Sequence, residues 1–89
     1  MLLIKGLNMV ISIEKAVYRG GDYKIEFLFS DGTRRIIDFE KFLKSSKNPM
    51  SSKYLDKNLF GTFDIKYGDI SWNDFELCFP IWDLYEGRI

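Results

Sequence analysis

Few residues in this chain are suited to chemistry, and histidine, the commonest general base and transition-metal ligand, is missing altogether. The single cysteine, Cys78, therefore has no such base to activate it, and it sits between Leu77 and Phe79 in an apolar strand pattern. A thiol in that setting reads as a core or sheet residue rather than a nucleophile. The C-terminal acids Asp64, Asp69, Asp74 and Glu76 match no calcium-loop spacing. They fall at turns and outward strand positions, where a solvated face is the simpler reading. The glycines at 20, 21, 32, 61 and 68 punctuate turns and never form a phosphate-binding run opening a helix. No catalytic residue, no cofactor and no metal site is expected, and the chain reads as a non-enzyme.

The remaining chemistry is that of binding. Trp82 lies off the face shared by Ile81, Leu84 and Tyr85, and a tryptophan in solvent is unusual without a partner. Either it packs beneath the first strand or it anchors a partner, and with Tyr85 and Phe79 it forms the candidate partner-binding set. Trp72 follows a strand pattern and reads as core. Lys41, Lys44 and Lys47 recur every third residue, and with Arg34 and Arg35 they form a candidate basic face.

Net charge is zero but unevenly spread: residues 33–57 carry seven cations against three acids, or +4, and residues 58–89 carry two against six, or −4. An acidic third would repel as much phosphate backbone as the basic third attracts. A partner protein is thus the expected ligand, with nucleic acid the alternative through the basic face. The expected function is a non-catalytic protein-binding or regulatory module, of which an inhibitor-like or antitoxin-like role would be one case.

These residues must be positioned by a small fold. With 89 residues there is room for one domain, spanning 1–89, with residues 1–8 an added or flexible segment and Met9 an alternative start. A lone cysteine suits a reducing compartment, and the apolar run Met1 to Ile4 is broken by Lys5 and Gly6, so no membrane span is expected and the cytoplasm is the default location.

From Ile11 the pattern alternates through Ile13 and Val17, a half-buried strand ending near Tyr18. Tyr23, Ile25, Phe27 and Phe29 share one face of a second strand, and Asp31-Gly32 leads into a third. A two-residue turn would pair Phe27 with Ile36. A three-residue loop with Gly32 at positive φ would pair Ile25 with Ile37, and is favoured because it keeps the apolar residues together.

Asp38 can cap a helix carrying Phe39, Phe42 and Leu43, with Lys44 and Lys47 near its end and Asn48-Pro49 stopping it. A shorter helical turn within 53–60 faces Leu55, Leu59 and Phe60 inward, ending at Gly61. Period two returns at Phe63, Ile65 and Tyr67, then Ile70 and Trp72, then Phe75, Leu77 and Phe79, with turns at Gly68-Asp69 and Asn73-Asp74. Pro80 opens a last helical turn.

The fold class is α+β: a small antiparallel sheet, hairpin plus C-terminal meander, with one short helix and one or two helical turns. Phe27, Ile37, Phe42, Leu55, Phe60, Ile65 and Trp72 are its expected core.

At Phe29-Ser30-Asp31-Gly32-Thr33, Ile37-Asp38, Leu55, Phe60, Ile70-Ser71-Trp72-Asn73, Pro80 and Leu84-Tyr85-Glu86, the chain resembles Domain of Unknown Function 2442, from about Ile11 to Glu86. The resemblance implies a small bacterial α+β domain, found alone or joined to a helix-turn-helix domain, and sometimes encoded beside another small protein in a toxin–antitoxin-like arrangement. It implies no functional residues. The chain departs from the pattern where Asp74-Phe75-Glu76 replaces a usual glycine and aspartate, and where Phe79 and Ile81-Trp82-Asp83 make the final turn bulkier.

Overall fold

A computed structural model describes residues 10–89, so the readings of residues 1–8 as an added segment and of Met9 as a start lie outside the described residues. The α+β class expected from the sequence is the one observed. The elements are β1 (Ile13–Tyr18), β2 (Lys24–Phe29), β3 (Arg34–Asp38), α1 (Glu40–Ser45), α2 (Pro49–Ser52), a 3-10 turn (Lys53–Leu55), α3 (Lys57–Phe60), β4 (Asp64–Lys66), β5 (Asp69–Trp72), β6 (Leu77–Cys78) and α4 (Ile81–Glu86). The strands divide into two antiparallel sheets, ordered β1-β2-β3 and β4-β5-β6. A hydrogen bond from Ile13 N–H to the Gly68 carbonyl, 2.8 Å, ties the edge of the first sheet to the β4–β5 turn of the second.

The β2–β3 hairpin takes the three-residue loop. Ile25 pairs with Ile37 and Phe27 with Arg35, the Phe29 N–H meets the Thr33 carbonyl at 2.8 Å, and Gly32 has φ +89°. Asp31 holds the loop by accepting the Thr33 N–H at 2.9 Å.

β1 departs from the expected alternation. Ile13 pairs with Phe29 but Lys15 with Leu28, so one extra residue is inserted at Glu14. A bulge flips every later side chain to the other face. Ile11 and Ile13 remain buried, but beyond the bulge Ala16 and Tyr18, rather than Val17, pack on the core.

In the helical stretch one local device recurs. Asp38, Asn48 and Asp56 each accept, through Oδ1, the N–H two residues on, at 3.0, 2.9 and 2.9 Å. Asp38, the expected cap of α1, makes this contact from one position before the observed N-cap, which is Phe39. Lys47 falls beyond α1, because Ser46 leaves helical dihedrals (ψ 131°) and Asn48 must be extended before Pro49. Leu59 was expected inward but is exposed, since α3 is a single turn whose inner side is taken by Phe60.

The β4–β5 turn is Tyr67-Gly68, not Gly68-Asp69. Lys66 pairs with Asp69, and both turn residues have positive φ, 54° and 80°, which puts Tyr67 in solvent instead of on a strand face. Gly68 has a second constraint: a Cβ there would lie 2.5 Å from the Ser12 Cβ. Gly68→Ala is therefore expected to cost about 2 kcal/mol or more, and Gly32→Ala, with open space around it, less. Equal losses on chemical denaturation would contradict the close approach.

Of the expected core residues, Phe27, Ile37, Phe60 and Trp72 are buried, whereas Phe42, Leu55 and Ile65 only pack against the core from its margin. Phe39, Leu43 and Tyr54 fill the centre in their place. The rings of Phe39, Phe60 and Phe79 meet Trp72 at 5.6–5.9 Å, and its Nε1 donates to the Phe60 carbonyl at 2.8 Å, so one tryptophan ties the helical stretch to the second sheet.

Candidate functional site

Between β5 and β6 the chain turns through three consecutive non-glycine residues with left-handed backbone: Asn73, Asp74 and Phe75, at φ 49°, 56° and 69°. Asparagine and aspartate visit this region readily, but a phenylalanine does so only where its surroundings hold it. Here the holding group is Glu76. Its Oε1 accepts from Lys53 Nζ at 2.7 Å, from the buried Tyr54 hydroxyl at 2.8 Å and from Asn73 Nδ2 at 3.2 Å. Its own N–H meets the Trp72 carbonyl at 3.0 Å. Three donors on one carboxylate lock the turn to the helical stretch.

Those donors, Lys53 foremost and then Tyr54 and Asn73, pull the Glu76 carboxyl down from 4.5 to about 2. Burial first, and then the hydrogen bond to Glu76 and the charge of that carboxylate, push the Tyr54 phenol up to about 12. A folded pKa below the unfolded one means that this contact stabilises fully above pH 4.5 and is lost as pH falls toward about 2. Melting temperatures followed downward from neutral pH are expected to fall through this window in the parent chain and to fall less in Glu76→Gln. Parallel curves would remove Glu76 from the acid limb.

Phe75 was expected on an inward strand phase. The left-handed turn instead leaves it exposed, and β6 shortens to Leu77–Cys78. Replacement tests the backbone cost directly: Phe75→Gly is expected to be more stable than Phe75→Ala by about 1 kcal/mol, the reverse of the usual order. A more stable alanine variant, measured by denaturant titration, would contradict the strain.

Phe75 forms one side of a groove of ≈ 430 Å³ whose lining is almost wholly apolar. The buried Ile70 and Phe79 line its inner part, and Phe75, Cys78, Pro80 and Trp82 its exposed part, with Ile81 half-buried and Asp69 at the margin. Trp82 is 42% exposed and Phe75 47%. α4 carries Trp82: it starts after Pro80 and closes at Gly87, whose left-handed φ of 73° lets Gly87 N–H and Arg88 N–H reach the carbonyls of Leu84 and Asp83.

The three candidate partner-binding residues separate. Trp82 and Phe79 both line the groove, Trp82 outward and Phe79 as a core residue in edge contact with Phe42 and Trp72. Tyr85 is engaged within the chain: its ring packs edge-on against Phe29 at 5.1 Å and its hydroxyl donates to Asp31 Oδ2 at 2.5 Å. That bond is the main reason the Asp31 carboxyl lies below its ordinary range.

The candidate basic residues do not form one row. Arg34 and Arg35 point to opposite faces of β3, with Arg35 half-buried on the core side. Lys44 is paired with Glu40 at 2.6 Å, and Lys47 has left the helix. Among the described residues there is no group of three or more histidine, cysteine, aspartate or glutamate side chains placed to hold a metal, and no helix long and apolar enough to cross a membrane.

A family model described as Protein of unknown function (DUF2442) matches residues 14–89, nearly the whole chain. The chain belongs to the DUF2442 family. No curated protein and no solved structure matches it. Within this DUF2442 domain the left-handed turn runs over Asn73-Asp74-Phe75 and so overlaps Asp74-Phe75-Glu76, the segment where the resemblance read from the sequence implies a glycine and an aspartate. A glycine suits such a backbone without cost, whereas this chain places an aromatic there and holds it over a groove.

Proposed function

We propose that this DUF2442 domain is a non-catalytic protein-binding module, and that its contact surface is the groove between Phe75 and Trp82. The observation that carries this reading is Phe75 itself: a large apolar side chain kept in a costly left-handed conformation, half in solvent, beside a second exposed aromatic. Strain of that kind persists where the surroundings over-determine it, and it clusters at binding sites. Exposed aromatics around an apolar depression are the usual anchors of a protein interface. The segment bearing the groove carries a net −4 over residues 58–89, and Asp69 stands at the groove margin. The partner is accordingly one that offers an apolar side chain flanked by basic residues.

Cys78 makes the test direct, because it is the chain's single cysteine, is exposed and lines the groove. A photoreactive maleimide attached there, illuminated in an extract of the source cells, is expected to give a discrete protein adduct. The adduct should disappear in Trp82→Ala. No adduct, or one indifferent to Trp82, would overturn the proposal.

A further inference from the structure

β3 closes one side of the first sheet, and the backbone groups it turns outward are those of Arg34, Ile36 and Asp38. The hydrogen-bonded pairs with β2 fall on the alternate positions, as the bonds from Phe29 to Thr33 and from Phe39 to Tyr23 show. Among the described residues no backbone hydrogen bond reaches that outer side. The other edges carry the devices that discourage strand addition. β1 is bulged and its Ile13 N–H is taken by Gly68, β4 is three residues long, and β6 is two residues long with Pro80 just beyond. β3 has five residues in unbroken register, neither glycine nor proline, and an Ile36 side chain 63% exposed.

The strand is also complementary to itself. Set antiparallel to its own copy with Ile36 opposite Ile36, it places Arg34 opposite Asp38 and Asp38 opposite Arg34, all on the outer face that carries Ile36. Two opposite-charge cross-strand pairs then flank one apolar pair about a two-fold axis. Arg34 is free to make the contact, since its guanidinium is largely in solvent and 3.9 Å from its nearest acid, Glu26. An open groove of ≈ 560 Å³ lies along the strand, bounded by Glu86 and Gly87, and gives an incoming backbone room. We propose that β3 pairs with β3 of a second copy of this chain, joining two three-stranded sheets into one symmetric sheet.

The test is sedimentation velocity over a concentration series. The parent chain is expected to dimerise reversibly. Arg34→Glu and Asp38→Arg each set like charges opposite one another twice, and each is expected to weaken self-association about ten-fold or more. An equimolar mixture of the two variants should recover the parent's affinity, because every new charge then faces its opposite. Asp38→Asn, which keeps the Oδ1 acceptor for the Glu40 N–H, guards against a folding defect and should weaken the dimer by less than Asp38→Arg. A parent chain that stays monomeric at its highest soluble concentration would overturn the proposal. So would variants that dimerise undiminished, or folded variants whose mixture stays monomeric.

Discussion

Replacing Trp72 with alanine is expected to cost about 3–5 kcal/mol and to leave the domain largely unfolded at room temperature. Trp72 is fully buried and its ring is surrounded by those of Phe39, Tyr54, Phe60, Phe63 and Phe79. Deletion would open a cavity among rigid aromatics that cannot collapse into it, and would leave the Phe60 carbonyl without its Nε1 donor. A chain this short buries a smaller fraction of its unfolded surface than a larger domain does, and has little stability in reserve. Phe42→Ala supplies the contrast, since Phe42 lies at the core margin and its loss should be clearly smaller. Far-ultraviolet circular dichroism and urea titration of the two variants decide the matter. A folded Trp72→Ala with a melting temperature near the parent's would contradict the central placement of this residue.

The burial of Trp72, like the β2–β3 register, was legible because short-range patterns govern both. Alternation through Ile25, Phe27 and Phe29 has one apolar phase, and only a three-residue loop keeps it. Elsewhere the same logic failed at single residues that reset the phase. One inserted residue at Glu14 exchanged Val17 for Ala16 and Tyr18, and a left-handed Tyr67 moved a turn by one position. Neither has a composition signal, because nothing about a glutamate or a tyrosine marks a bulge or a positive φ.

The site divides in the same way. Trp82 could be singled out because its position contradicts the helical spacing of its neighbours, a local property. Phe75 could not, since period two assigned it inward and the turn that exposes it is held by Lys53 and Tyr54, more than twenty residues away in sequence. The one advance sign was at Asp74-Phe75-Glu76, where the resemblance implied a glycine and an aspartate. Its meaning depended on three left-handed residues that a period-two reading does not anticipate.

Trp82→Ala is expected to separate stability from binding. The indole meets Tyr85 edge-on at 5.3 Å and keeps 42% of its surface in solvent, so its removal should cost about 1 kcal/mol of stability, well below the loss at a fully buried tryptophan. Tyr85 would remain pinned by Phe29 and Asp31, and α4 would remain closed at Gly87. Affinity for a groove-bound partner should fall by about 2 kcal/mol, or roughly thirty-fold, the usual scale for truncating an aromatic anchor. Asp69→Lys should act differently. It leaves the apolar lining intact, so it should slow association with a basic-rimmed partner and flatten the salt dependence of the rate, with little change in dissociation. Paired thermal melts and binding kinetics on the captured partner distinguish these effects. A large drop in melting temperature on Trp82→Ala would return the indole to a packing role and leave Phe75 the groove's one exposed aromatic anchor.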